Sequence, residues 1–120
     1  DIRIYVDIVM FVDLASGEVS ESSVQVRKRV NRTRAVQLER FKDDGITSNG
    51  EMSEKHIKKY CKLSAEGEDV LRYAFESLKM SARARSRILK VARTIADMEL
   101  SENIETNHLL EAISYRGDDL

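Results

Sequence analysis

The sequence predicts a mostly α-helical domain, a bundle of about four to five helices preceded by one short strand. Three observations lead there. No proline occurs in 120 residues, where average usage would give about 6, and proline is the residue that breaks helix interiors. The five glycines fall mostly where the apolar pattern also lapses. From residue 22 onward, apolar residues recur at helical rather than strand spacing. A chain of this length is one domain, able to bury about two-thirds of the surface its unfolded form exposes.

Composition excludes several classes. Apolar residues are 42% and charged residues 34% of the chain, too apolar for a disordered tail. No apolar run approaches the roughly 20 residues that span a bilayer, so no membrane partner is expected. Twenty Lys and Arg against 21 Asp and Glu leave a net charge of -1, so contact with nucleic acid would have to come from local clustering. The single cysteine, Cys61, cannot form an intramolecular disulfide and fits a reducing compartment, hence a cytoplasmic protein. The chain opens Asp1-Ile2-Arg3, without a signal peptide.

The elements follow in order. Ile2, Ile4, Val6 and Ile8 alternate with Arg3, Tyr5 and Asp7, the period of a half-buried strand over residues 2–12. A lone strand leaves its backbone groups unpaired, and no good second strand follows, which suggests a fragment cut from a larger protein. A long helix starts at Ser22 or Ser23 and runs to Phe41 or Lys42, with Val26, Val30, Leu38 and Phe41 near one stripe and Ala35 beside it. Lys42 to Gly45 is a stop and turn, followed by a polar loop through Gly50. Ser53 caps a short helix ending near Tyr60 or Cys61. Ser64 caps the next, with Glu66, Glu68 and Asp69 near its positive end and Val70, Leu71, Ala74, Phe75 and Leu78 inward. Ser81 caps a helix with Ile88, Val91, Ala92, Ile95 and Met98 inward and Arg87, Lys90 and Arg93 toward its other sides. Glu105 or Thr106 opens a last helix holding Leu109, Leu110 and Ile113, and Asp118-Asp119 lies in solvent.

Little of this carries catalytic chemistry. There is no G-x-x-x-x-G-K-[ST] loop and no G-x-G-x-x-G. His56 and Cys61 lack the second pair that would complete a zinc site, so no metal site is expected, and they read as a surface histidine and a half-buried thiol. His108 reads as a capping or surface residue. Ser20, Ser22 and Ser23 have no nearby histidine to activate them. No catalytic residue is expected in this chain, which alone is not an enzyme.

Two basic constellations remain. Arg27, Lys28, Arg29, Arg32 and Arg34 place five cations in eight residues and wrap more than one helix face. They could contact phosphates along nucleic acid or be a solvated face paired with acids elsewhere; no aromatic residues interleave them for stacking. The second is Ser81-Ala82-Arg83-Ala84-Arg85-Ser86-Arg87 at a helix start. There, Arg83 could reinforce the preference of free N–H groups for an anion, or be an ordinary surface arginine.

The stretch from Leu78 to Asp97 (LKMSARARSRILKVARTIAD) strongly resembles the C-terminal region of magnesium chelatase-related AAA+ ATPases, the YifB-type and competence-protein ComM-like proteins. Ile104 to Arg116, Glu21 to Ser23 with Arg27 to Phe41, and Tyr60 to Leu63 resemble neighbouring parts of the same region, so the likeness runs from about residue 18 to 116. It implies that residues 1–18 end an ATPase core and residues 19–120 form its C-terminal helical lid. It also implies that Arg83 occupies the sensor-2 position, reaching the γ-phosphate of ATP. ATP and Mg2+ would belong to the parent protein, with neither bound by this fragment alone. The partners implied are the missing core, neighbouring subunits of a ring, and DNA as the molecule remodelled. The opening Asp1-Ile2-Arg3-Ile4 departs from the Asp-Arg-Ile-Asp-like end of the family's core, leaving Arg3 without a role. The family name does not by itself imply magnesium insertion into porphyrin. The alternative is a stand-alone helical DNA-binding module using residues 27–34.

Overall fold

A computed structural model describes residues 23–115. The expected strand over 2–12, the boundary near residue 18 and the tail at 118–119 lie outside the described residues. Five α-helices account for the rest: α1 Ser23–Arg40, α2 Glu54–Tyr60, α3 Ala65–Ser77, α4 Ala82–Met98 and α5 Thr106–Ser114, with one 3-10 turn at Asn49–Glu51. No strand occurs among the described residues.

The helix starts follow from side-chain caps. Ser64 Oγ accepts the Gly67 N–H at 3.1 Å and Ser81 Oγ accepts the Ala84 N–H at 3.2 Å, each satisfying a donor the helix cannot. Two other starts use an imidazole where a capping box usually has Glu or Gln. His56 Nδ1 accepts the Ser53 N–H at 3.1 Å, and His108 Nδ1 accepts the Glu105 N–H at 2.9 Å. The ends are less conventional. Lys79 (φ 52°) and Leu100 (φ 57°) hold left-handed conformations usually left to glycine. Behind them, Met80 N–H reaches the Phe75 carbonyl at 3.1 Å and Ser101 N–H the Ala96 carbonyl at 2.8 Å, the six-to-one bond of a Schellman end.

Helix α4 is the axis of the fold: α1, α2, the 3-10 turn and α5 all pack on it, and α3 packs on α5. Its inward face is closed by Ile88, Leu89, Ala92, Ile95 and Ala96, the two alanines letting neighbouring backbones approach. Gly67 marks a second close approach, since a Cβ there would lie 3.3 Å from Leu109 Cδ1 and 3.3 Å from Leu63 Cβ. Phe41 is buried edge-on to Tyr60, with ring centroids 5.3 Å apart.

Several inward assignments need correcting. On α1 the buried line is Val30, Thr33, Gln37 and Phe41, a true helical series in which two members are polar. Leu38, one step around from Gln37, is 48% exposed, and Ala35 is exposed as well. On α5, Leu109 and Ala112 are buried whereas Leu110 is 55% exposed, again because a neighbour in sequence is about 100° away in space. Leu78 follows α3 and is largely exposed. Arg93 is buried rather than turned outward.

Two neighbouring leucines test this packing. Leu109→Ala is expected to cost about 2–5 kcal/mol of unfolding free energy by leaving a cavity, and Leu110→Ala to stay within about 0.5 kcal/mol, as read by urea denaturation.

Candidate functional site

The first turn of α4 presents an exposed cationic tip. Ser81 fixes the helix start through Ala84, and its own carbonyl accepts the Arg85 N–H at 3.1 Å. Arg83 is exposed beside it, and no acid among the described residues pairs with it. The following residues are engaged with neighbouring helices: Arg85 reaches Glu68 of α3 at 3.8 Å and Ser86 Oγ donates to Glu54 of α2 at 2.6 Å. The start of α4 is thus anchored on two sides, with the guanidiniums of Arg83 and, a turn later, Arg87 exposed and without an acidic partner among the described residues.

The basic run of α1 is divided by the helix rather than gathered. Arg27, Lys28 and Arg34 project from the outer side, the first two exposed and Arg34 half-buried. Arg32 turns toward α4 and donates to the Met98 carbonyl at 3.3 Å, a cation serving the negative end of that helix. Arg29 is half-buried, and its carbonyl accepts Thr33 Oγ1 at 2.9 Å.

The largest concentration of charge is one that the hydrophobic pattern hides. Asp97, with no exposed side-chain surface, receives Arg40 through two bonds, Nη1 to Oδ2 at 2.8 Å and Nη2 to Oδ1 at 2.6 Å. It also accepts Asn49 Nδ2 at 2.9 Å and Arg93 Nε at 3.1 Å. Arg93 uses its remaining donors on the carbonyls of Glu102 at 3.0 Å and Ser101 at 2.7 Å. Asn49 is held by Gln37 and Thr94. Burial opposes both guanidinium charges. At Arg40 the hydrogen bonds and charge of Asp97 more than offset it; at Arg93 burial prevails and holds the group below its usual range, with Arg40's charge adding to it.

A surface cleft of about 550 Å³ opens beside this cluster, between Lys59, Lys62 and the turn at residues 100–103. Its two deepest cations are already committed to Asp97, so the cleft is the outer wall of a structural knot. The one signal in the sequence was the i, i+4 spacing of Arg93 and Asp97 between apolar neighbours.

The remaining candidates read as follows. Cys61 is fully rather than half-buried, its Sγ 3.9 Å from the Leu89 carbonyl, and burial pushes its thiol up to about 11. His108 caps α5 as expected but is buried, not superficial, with Nε2 2.8 Å from Glu99. No group of three or more metal-ligating side chains lies together among the described residues.

Asp97→Asn is expected to cost about 3–5 kcal/mol in urea denaturation, because it leaves two buried guanidiniums short of their counter-charge. Cys61 is expected to resist a thiol-specific reagent at pH 8 in the folded domain and to react at once when the domain is unfolded, since thiolate is the reacting form.

The family model described as magnesium chelatase, subunit ChlI C-terminal, matches residues 20–116. The chain is 40% identical over 102 residues to competence protein ComM of Haemophilus influenzae, covering 85% of this chain and 19% of that protein. It is 42% identical over 99 residues to the uncharacterized protein YifB of Salmonella typhimurium, covering 82% and 19%, and 40% identical over 99 residues to YifB of Escherichia coli, with the same coverage. The chain thus spans about a fifth of the length of these relatives. With residues 20–116 matched by one family model, the chain belongs to the magnesium chelatase C-terminal domain family.

Proposed function

We propose that this domain is the helical lid of a ring-forming AAA+ ATPase and that Arg83 reads the terminal phosphate of ATP held by the core. The observation that carries the proposal is the exposed guanidinium of Arg83 in the first turn of α4, without an acidic partner among the described residues, where free N–H groups and the helix dipole already favour an anion. A guanidinium in that place binds a triphosphate more strongly than a diphosphate. Hydrolysis then changes the lid's preferred position through that difference in affinity. ATP and Mg2+ belong to the core in this scheme. DNA is the molecule remodelled, in keeping with the competence role in the name of the Haemophilus relative.

The stand-alone DNA-binding alternative retains one supporting observation, the outward cations Arg27, Lys28 and Arg34. It is weakened by the division of the run, with Arg32 spent on the end of α4. It requires binding of duplex DNA by this chain that falls steeply with salt.

In the full-length protein, Arg83→Ala is expected to lower ATP turnover about 10- to 100-fold, the value of one charge-assisted hydrogen bond in the transition state. Arg83→Lys should restore part of it. Unchanged turnover by Arg83→Ala, with assembly intact, would overturn the sensor role.

A further inference from the structure

Two helices of the domain carry outer faces of opposite charge, both mostly exposed among the described residues. On α1, Val24, Arg27, Lys28, Asn31, Arg34 and Leu38 fall within an arc of about 120° that adjoins the buried line, with Arg34 at its half-buried edge. Val24 is 60% and Leu38 48% exposed there, and no acid among the described residues pairs with Arg27, Lys28 or Arg34. On α3, Glu66, Asp69, Tyr73 and Glu76 occupy a narrower arc of about 80°, all exposed, with Tyr73 at 73%. Among the described residues only Asp69 of these has a charged partner, an exposed pair with Arg72 at 3.4 Å that contributes little and re-forms freely.

The two faces match in pitch as well as sign. Arg27 and Arg34 are seven residues apart along one line of α1, and Asp69 and Glu76 are seven apart along one line of α3. Each pair spans about 10.5 Å at the helical rise. Each face also holds exposed apolar or aromatic surface between or beside its charges, which suits a protein partner better than a phosphate backbone. The packing order is α1 on α4, α4 on α5 and α5 on α3, so the two faces stand at opposite ends of that series.

We infer that these faces are the two halves of one contact, the basic face of α1 in one copy seating on the acidic face of α3 in the next copy of this chain. Because the halves are different surfaces of the same molecule, the contact is head-to-tail, and repetition gives a ring or an open filament. The closing of the ring rests on the lid reading given above, while the pairwise contact stands on the two faces alone.

The test is sedimentation velocity of the 120-residue chain, without nucleotide, at ionic strengths of about 0.01 M and 1 M, where the Debye length is about 30 Å and 3 Å. The native chain should form species larger than a dimer as concentration rises at low salt and revert to monomer at high salt. The variant Arg27→Glu with Arg34→Glu should be monomeric, as should Asp69→Lys with Glu76→Lys. An equimolar mixture of these variants should assemble again, because intact face meets intact face and the two reversed faces are once more opposite in charge. Circular dichroism checks that the helices are retained, and Asp69→Asn with Glu76→Gln repeats the acidic arm if the lysines weaken α3. A native chain monomeric at low salt, variants that assemble like the native chain, or a mixture that stays monomeric would each overturn the contact. So would duplex DNA binding that is lost with the α1 variant while the native chain never self-associates. No nucleotide is present, so the result is independent of whether Arg83 senses phosphate.

Discussion

The described structure turns on a single carboxylate. Asp97 accepts both arms of Arg40, the Nε of Arg93 and the amide of Asn49, and so joins the end of α1, the 3-10 turn, α4 and, through Arg93, the turn leading to α5. Burying charges costs several kcal/mol per ion, and their mutual attraction recovers it only when the geometry is good and the leftover donors are satisfied. Here the leftover donors are satisfied: Arg93 completes its set on two backbone carbonyls, and Asn49 is held on both flanks. A network completed in this way ties four segments of the chain to one carboxylate.

That constraint explains where the sequence was legible and where it was not. Caps are local, and Ser53, Ser64, Ser81 and Glu105 announce the helix starts within a few residues of the groups they bond. The apolar line of α4 was equally legible, because it is long and strongly periodic. The inward face of α1 was not, because the line that packs on α4 substitutes Thr33 and Gln37 for apolar residues. A hydrophobic pattern then drifts to Leu38, which faces solvent. Arg93 was misplaced for a similar reason: periodicity sends a charge outward unless its partners are known. Those partners, at positions 97, 101 and 102, are bonded in a geometry set by the chain reversal after α4. Arg40 meets Asp97 across 57 residues, a separation that no local pattern bridges.

The candidate site had the opposite character. Arg83 was singled out by its place in a resembling stretch and by the chemistry of helix starts, both of which are local. Its exposure, and the lack of an acidic partner among the described residues, came from the structure. The five cations of α1 looked like one feature in sequence and proved to be several: an outward group, a residue capping another helix, and one turned partly inward. The turn of the helix, about 100° per residue, separates neighbours that composition groups together.

The left-handed residues on either side of α4 have a mechanical consequence. Glycine at such a joint has broad freedom to swing, whereas a residue with a Cβ has only a narrow well at positive φ. Lys79 and Leu100 are residues of the second kind, so the joints before and after α4 are detents rather than swivels.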